Sequence, residues 1–152
     1  MRQFFALFFL LAVVLTTAPV FAQEGGETIV VTAEELATAV ATAKEGDTIE
    51  VNGGTYHGSL DIDKRLTLIG KNWPILDGSN KGTVVRISGP GTVFSGFMIK
   101  NSGSVLDQEN SGIAVVAPQV TVENNRFEDT LFGIYLKEAH NGIIRGNEIT
   151  SK

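Results

Sequence analysis

The segment Gly112–Val115 (GIAV) returns 21 residues later as Gly133–Leu136 (GIYL), and Val122–Phe127 (VENNRF) returns 22 residues later as Ile144–Ile149 (IRGNEI). In both repeats, apolar positions match apolar positions, and turn residues lie between them. Self-similarity at a fixed period of this length is typical of solenoids. A period of about 22 residues without a helical pattern has room for three short strands and three turns. The repeat therefore predicts an all-β fold, the stacked coils of a parallel β-helix.

The 152-residue chain has 12 Lys and Arg against 17 Asp and Glu, a formal net charge of −5, and its cations are scattered. The sequence has no basic footprint for nucleic acid, so we expect no nucleic-acid partner. It contains no cysteine, which excludes disulfides, thiol catalysis and thiolate metal sites. Seventeen glycines suit a fold with many tight turns.

Residues Met1–Ala22 are organised like a secretory signal peptide, with a charged start at Arg2 and an apolar run over Phe4–Leu15. Small or medium residues then precede a cleavage site before Gln23. An uncleaved membrane anchor is the alternative, but an anchor needs roughly 20 apolar residues, and threonines and a proline interrupt this run. We expect cleavage and export, which in a Gram-negative cell means the periplasm.

Residues 23–152 are predicted to form the N-terminal part of one β-helix domain, with a cap helix over about 33–45 and coils over about 47–152. Thr28–Val31 is rich in β-branched residues, as strands are. Thr32 and Glu35 match a capping box, and apolar residues follow on one helical face until Gly46. Such an amphipathic helix would cover the apolar interior of the first coil.

Period-two alternation and short apolar runs predict the strands of the coils. In Asp47–Val51 the alternation turns Ile49 and Val51 inward. Further strands are predicted in Leu66–Gly70, Ile75–Gly78, Val84–Ile87, Val93–Phe94 and Phe97–Ile99. The mostly polar Asn101–Asn110 lengthens the interval to the next coil, so it is predicted to be a loop projecting from a corner.

Several segments carry a family resemblance over essentially the whole of the predicted mature chain. Those that resemble the opening of right-handed parallel β-helix proteins of the pectin-lyase-like superfamily are Ala43–Val51, Gly54–Gly58, Leu66–Gly70 and Ile75–Gly78. Phe94–Gly103 and Phe132–Leu136 resemble one branch, the NosD family of exported accessory proteins in nitrous oxide reductase maturation.

The resemblance implies a periplasmic, non-enzymatic protein that works with an ABC-type ATPase and a membrane subunit. Their shared task would be to help assemble the copper–sulfur centre of nitrous oxide reductase. Copper is a candidate ligand by resemblance alone, since no cofactor motif is evident in the sequence. The solenoids of the family run longer, and this chain stops at Ile149–Lys152 directly after a strand. We therefore expect it to be an N-terminal fragment of a larger β-helix.

Two alternative functions stay open at this stage. One is a carbohydrate-active β-helix enzyme, either a polysaccharide lyase or a glycoside hydrolase, whose partner would be a polysaccharide. The other is a repeat-type protein with a purely interactive role.

The candidate copper ligands of the mature chain are His57, Met98 and His140. Copper sites gather imidazole and sulfur from several ligands. His57 and His140 lie about four coils apart by count, so we do not expect them to share an ion. Exposed histidines and a core or surface methionine account for the same residues.

Carboxylates are numerous, and β-helix enzymes that cut polysaccharides use carboxylates on one outer face. The main ones in the sequence are Asp61, Asp63, Asp77, Asp107, Glu109, Asp129, Glu138 and Glu148. Asp107, Glu109 and Asp129 are the candidate catalytic residues, provided that the Asn101–Asn110 loop folds over that side. No paired-carboxylate motif recurs at the coil period, so solvated surface charges are the alternative.

Asn125 and Asn147 occupy equivalent positions of the repeat. They are predicted to form a structural ladder of stacked side-chain amides at a corner, although a polar binding row is the alternative. The aromatic residues Tyr56, Trp73 and Tyr135 are able to stack on sugars, but packing beside turns explains them equally well.

Overall fold

The computed structural model describes residues 26–152, so the predicted signal peptide, Met1–Ala22, lies outside the described residues. Fifteen strands of the described part form three sheets in which the strands pair in parallel. Sheet A consists of β1 (Thr28–Val31), β2 (Thr48–Asn52), β5 (Thr67–Lys71), β8 (Val93–Ser95), β11 (Thr121–Glu123) and β14 (Ile143–Arg145). Sheet B consists of β3 (Thr55–His57), β6 (Ile75–Asp77), β9 (Met98–Lys100), β12 (Arg126–Thr130) and β15 (Glu148–Ser151). Sheet C consists of β4 (Leu60–Ile62), β7 (Val85–Ile87), β10 (Ser111–Val115) and β13 (Phe132–Leu136).

From β2 onward the chain visits sheets A, B and C in rotation, and we call each such passage a coil. The strand register follows the sequence repeat: Ile113 pairs with Ile134, and Phe127 pairs with Ile149. The predicted strands and their matching positions are thus confirmed. The protein is mostly β, with parallel sheets and few helices, and this architecture is compatible with the predicted parallel β-helix.

Inward side chains stack in rows that run from coil to coil. In sheet A the row contains Ile49, Leu68, Phe94 and Val122, all fully buried. Phe94 also stacks on Phe97, with ring centroids 4.5 Å apart. Burial of apolar surface contributes about 25 cal/mol per Å², so these rows stabilise the stacked coils. Ile49 and Val51 point inward as predicted.

The inward rows continue into the last coil, where their side chains reach solvent. Ile144 and Ile149 occupy the same row positions as Val122 and Phe127, yet they are 40% and 50% exposed. The difference arises because no coil follows β15 in the part of the chain that the structure describes.

A helical segment precedes the first coil. It begins as a short 3-10 helix, Ala33–Glu35, and continues as α1 (Leu36–Thr42), which contacts β1 and β2. The Glu35 carboxylate accepts a hydrogen bond from the Thr32 backbone N–H at 3.0 Å, as the capping-box pattern predicts. The helix ends at Thr42 rather than near residue 45, because Ala43 is already extended, with φ −60° and ψ 151°.

Helix α1 ends early partly because of contacts with Lys64, a residue that is distant in sequence. The Lys64 ammonium donates hydrogen bonds to the Ala41 and Ala43 carbonyl oxygens at 3.0 and 2.9 Å. The Asp47 carboxylate accepts one from the Lys44 backbone N–H at 2.8 Å. These contacts satisfy the backbone groups where the helix would otherwise continue.

The Asn101–Asn110 segment is a loop between β9 and β10, as predicted, and it contains a second short 3-10 helix, Leu106–Gln108. It is anchored by Ser102, whose hydroxyl accepts a hydrogen bond from the Leu131 backbone N–H at 2.9 Å. Leu106 at the tip is largely exposed.

Candidate functional site

The outer face of sheet B carries polar side chains of several kinds. Alternate residues of a strand point to opposite sides, so residues that pair across strands form outward rows. The first outward row consists of Thr55, Ile75, Met98, Arg126 and Glu148. The second consists of His57, Asp77, Lys100 and Glu128. We call these two rows, together with Trp73 at the adjoining corner, the sheet B face.

Asp77 is the centre of the second row. Its side chain is only 13% exposed, and one carboxylate oxygen, Oδ2, lies 3.9 Å from both His57 Nδ1 and Lys100 Nζ. The other oxygen accepts hydrogen bonds from the Asn101 side chain at 3.0 Å and from the Ser79 backbone N–H at 2.8 Å.

These contacts determine the ionisation of Asp77. Burial by itself raises the pKa of the Asp77 carboxyl. The hydrogen bonds from Asn101 and Ser79, with the charges of Lys100 and His57, outweigh burial and bring the pKa below its ordinary value. Asp77 is therefore ionised at neutral pH and holds the neighbouring strands and the following turn together.

Trp73 stands at the corner that leads into β6 and is 41% exposed. Its backbone has φ +54° and that of Asn72 has φ +60°, two successive left-handed residues of the kind for which Asn-Gly is preferred. A left-handed backbone costs a non-glycine residue about 1 to 2 kcal/mol. The Arg126 guanidinium lies 4.0 Å from the Trp73 ring centroid, a cation–π contact that contributes about 0.5 to 1 kcal/mol at an exposed site. The contact does not offset the backbone cost.

A shallow groove of about 190 Å³ runs beside this pair on the sheet B face. Its lining residues are Met98, Arg126, Phe127, Glu128, Glu148 and Thr150. Arg126 forms an ion pair with Glu148 at 3.5 Å, so one wall of the groove presents both a cation and a carboxylate.

The candidate copper ligands lie on different elements. His57 and Met98 are on the sheet B face, in different rows and separated by β6. His140 lies in the turn between β13 and β14, which leads from sheet C to sheet A. Within residues 26–152, no group of three or more His, Asp or Glu side chains is placed to hold a metal ion. The positive charge of Lys100 beside Asp77 also opposes a cation next to His57. The three candidate ligands therefore stand on separate elements.

The three candidate catalytic carboxylates are divided between the loop and sheet B. Asp107 lies in the 3-10 helix of the loop, Glu109 ends that helix with φ +53°, and Asp129 lies in β12 with φ +49°. Glu109 accepts a hydrogen bond from the Tyr135 hydroxyl. This bond, together with burial and the Glu109 charge, raises the pKa of Tyr135. Asp107 and Asp129 make no side-chain hydrogen bond or ion pair within the described residues.

The other carboxylates have separate positions. Asp61 and Asp63 are exposed, within and just after β4, and Glu138 lines a groove between sheets C and A together with Arg86 and Lys137. Glu148 belongs to the sheet B face.

Asn125 and Asn147 lie one above the other at the corner between sheets A and B. The Asn147 side-chain oxygen accepts hydrogen bonds from both the backbone N–H and the side-chain amide of Asn125, at 3.0 and 3.1 Å. Asn125 is buried and continues the pattern by accepting from the Phe97 N–H at 3.0 Å and donating to the Phe94 carbonyl at 3.2 Å.

Two residues of the sheet B face, Lys100 and Arg126, were not identified from the sequence. Both follow from the register: Asp77 pairs with Lys100, and Met98 pairs with Arg126. The unequal loops between coils hide these matches in the sequence, because the spacing changes from one coil to the next.

Comparisons of the chain with protein-family models, with curated proteins and with solved structures found no match. Among the described residues, no helix is long and apolar enough to cross a membrane. The fold and site thus define a mostly β protein with parallel sheets and a polar outer face.

Proposed function

We propose that this chain is an exported, non-enzymatic accessory protein of the NosD type. In this proposal it helps to mature the copper–sulfur centre of nitrous oxide reductase, together with an ABC-type ATPase and a membrane subunit. The support is the resemblance of Phe94–Gly103 and Phe132–Leu136 to that family. The leader at Met1–Ala22 would direct the protein to the periplasm.

The observation that carries the proposal is the sheet B face, which presents a continuous row of His57, Asp77, Lys100 and Glu128. A row of this kind suits contact with another protein over several coils. By contrast, Phe94 and Phe97, which lie in one of the segments that resemble the family, are buried and stack on each other. This part of the resemblance therefore reflects packing.

The same proposal includes the finer architecture. In this proposal the coils wind in the right-handed sense usual for crossovers between parallel strands, and their length varies about the 22 residues of the last repeat. Helix α1 acts as the N-terminal cap, because Leu36, Ala39 and Val40 are buried on its inner side. Copper, if the protein handles it, would be cargo passed to the reductase.

The experiment is cross-linking of the tagged full-length protein in the native host, followed by mass spectrometry of the periplasmic and membrane fractions. We expect nitrous oxide reductase and the ABC membrane subunit among the cross-linked partners, and their loss when Lys100 is replaced by Glu. Retention of the protein in the cytoplasm would overturn the proposal. So would cross-linking to enzymes of polysaccharide degradation in place of the reductase.

A second candidate function is a carbohydrate-active enzyme, and the contact between Glu109 and Tyr135 favours it. Tyr135 lies on the outward row of sheet C with Asp61 and Arg86, so the loop brings a carboxylate to a face that carries other charged groups. Activity on acidic polysaccharides that disappears in the Asp107→Asn, Glu109→Gln and Asp129→Asn variants would establish this function. No turnover on such substrates argues against it.

A further inference from the structure

We propose that the outer edge of β1, with the groove between β1 and α1, is a docking site for an extended peptide segment of another protein. The segment adds a strand to sheet A. It carries apolar side chains at alternate positions and a Lys or Arg at one end. The inference stands on β1 and α1 alone and does not depend on the accessory role proposed above.

The first argument is the unpaired backbone along β1. Within the described residues, β1 is the outermost strand of sheet A on its side and pairs only with β2. The Glu27 carbonyl accepts a hydrogen bond from the Thr48 N–H at 2.8 Å, and alternate residues of a strand turn their backbone groups to opposite sides. The N–H and C=O groups of Thr28 and Val30 therefore face the open edge. Proline, a bulge or an inward-pointing charge protects many natural edge strands, and β1 has none of these.

The second argument is apolar surface that α1 leaves uncovered. Ile49 and Val51 of the inward row are fully buried. Ile29 and Val31 occupy the next positions of that row but are only half-buried. They lie at the base of a groove of about 390 Å³ whose other wall is the side of α1 that carries Thr38. An added strand places alternate side chains over Ile29 and Val31 and completes the burial of the row.

Charge selects the peptide. Glu34 and Glu35 line the groove, and among the described residues that line it none is a cation. Hydrogen bonds from its own backbone N–H and from the Thr55 N–H lower the pKa of Glu34, so this carboxylate is ionised at neutral pH. Neither glutamate forms an ion pair within residues 26–152. A Lys or Arg at the end of the peptide that lies beside these carboxylates is therefore favoured.

The same charges disfavour a second copy of the chain as the occupant. A two-fold symmetric pair of β1 strands is antiparallel, so Glu27 at the start of one β1 lies at the end of the other, towards Glu34 and Glu35. Like charges brought together in this way repel each other.

The test uses the protein as an export-competent host yields it, with peptide binding measured by calorimetry and located by amide hydrogen exchange. The probe is acetyl-Lys-Thr-Val-Thr-Val-Thr-Lys-amide, whose two lysines serve either strand direction. One comparison peptide has Glu at both ends, and another has Pro in place of the central Val-Thr-Val. We expect saturable binding of the lysine peptide at millimolar or lower concentration, with slower exchange at Thr28 and Val30. The glutamate peptide should bind about tenfold more weakly, and the proline peptide should not bind.

The proposal is overturned if the lysine peptide does not bind, or if the glutamate or proline peptide binds equally well. Protection of the Thr28 and Val30 amides without any peptide overturns it too, because the edge is then covered by the chain itself or by a second copy.

Variants then locate the site. Val30→Pro removes a donor at the open edge, where a strand tolerates proline, and should lower the affinity about tenfold; Val30→Thr keeps the donor and should leave it unchanged. Thr38→Lys adds a cation to the groove wall and should also weaken binding of the lysine peptide. Its matched control is Ala41→Lys, which places the same charge at an exposed position of α1 outside the groove and should leave binding unchanged. Equal affinities of these two lysine variants contradict the proposal, and this comparison decides even where Val30→Pro unfolds.

Discussion

Asn125 joins its own coil to the coils on both sides. Its side chain accepts from the Phe97 N–H and donates to the Phe94 carbonyl, and it also donates to Asn147 in the last coil. Because Asn125 is only 1% exposed, water cannot replace these partners if the side chain is removed.

We therefore expect Asn125→Ala to lower the free energy of unfolding by about 2 to 4 kcal/mol, since it strands two buried backbone groups. Asn147→Ala is the matched variant and should cost about 1 kcal/mol, because Asn147 is half-buried and water can reach its partners. Urea unfolding measures both values. Equal losses of unfolding free energy in the two variants would show that burial does not decide the cost of removing these side chains.

Asp77 predicts a pH dependence. Its pKa is lower in the folded protein than in the unfolded chain, so its ionised form stabilises the fold above the unfolded pKa. That stability is lost as the pH falls through the folded pKa. Asp77→Asn should lower the free energy of unfolding at pH 7 by about 1 kcal/mol, and the difference from wild type should shrink below about pH 4.

Urea unfolding at pH 7 and pH 3 measures this difference. Asp63→Asn is the control, because Asp63 is exposed and makes no side-chain hydrogen bond in the described part of the chain. The contradictory outcome is a difference in unfolding free energy between wild type and Asp77→Asn that is the same at both pH values.

The 3-10 helix and α1 are held against the first coils by charged side chains. Glu34 accepts a hydrogen bond from the Thr55 backbone N–H at 3.1 Å, and Lys64 donates to the Ala41 and Ala43 carbonyl groups. A cation at the C-terminal end of a helix also interacts favourably with the helix dipole.

Lys64→Met should therefore lower the free energy of unfolding by about 1 kcal/mol and speed amide exchange in α1. Lys71→Met is the control, because the Lys71 side chain is exposed and makes no side-chain contact of this type within residues 26–152. Equal exchange rates in the two variants would show that Lys64 does not fasten the helix.

The elements of the fold were predictable to different degrees, for a physical reason. Inward strand positions such as Ile49 and Val51 are set by local alternation, and the pairing of Ile113 with Ile134 follows the sequence repeat. The end of α1 depends on Lys64, and the stack of Arg126 on Trp73 joins residues two coils apart. Contacts between residues that are far apart in sequence produce no periodic pattern. The candidate site was therefore harder to predict than the fold.

The whole molecule presents two unlike ends. At the N-terminal end, Leu36 and Val40 of α1 are buried against the first coil, whereas at the other end Ile144 and Ile149 reach solvent. Strands β13, β14 and β15 each have a pairing partner on one side within the described residues. Exposed apolar side chains beside open strand edges promote association.

We expect residues 23–152, without the apolar leader, to self-associate with rising concentration, and Ile149→Lys to reduce that association while the fold is kept. The control is Phe127→Lys, one coil earlier at the paired position, which should unfold the protein because Phe127 is buried. Sedimentation velocity and circular dichroism check the two outcomes. A monomeric wild-type chain would show that the last coil does not drive association.

We propose that the protein supports reductase maturation by binding and without catalysis. The most direct measurement is the copper content of nitrous oxide reductase isolated from three strains of the native host: wild type, a deletion of this gene, and the deletion complemented with an Asp107→Asn, Glu109→Gln, Asp129→Asn variant. We predict copper-loaded reductase in the first and third strains and copper-deficient reductase in the second. Loaded reductase in the deletion strain would contradict the maturation role, and deficient reductase in the complemented strain would contradict a non-catalytic one.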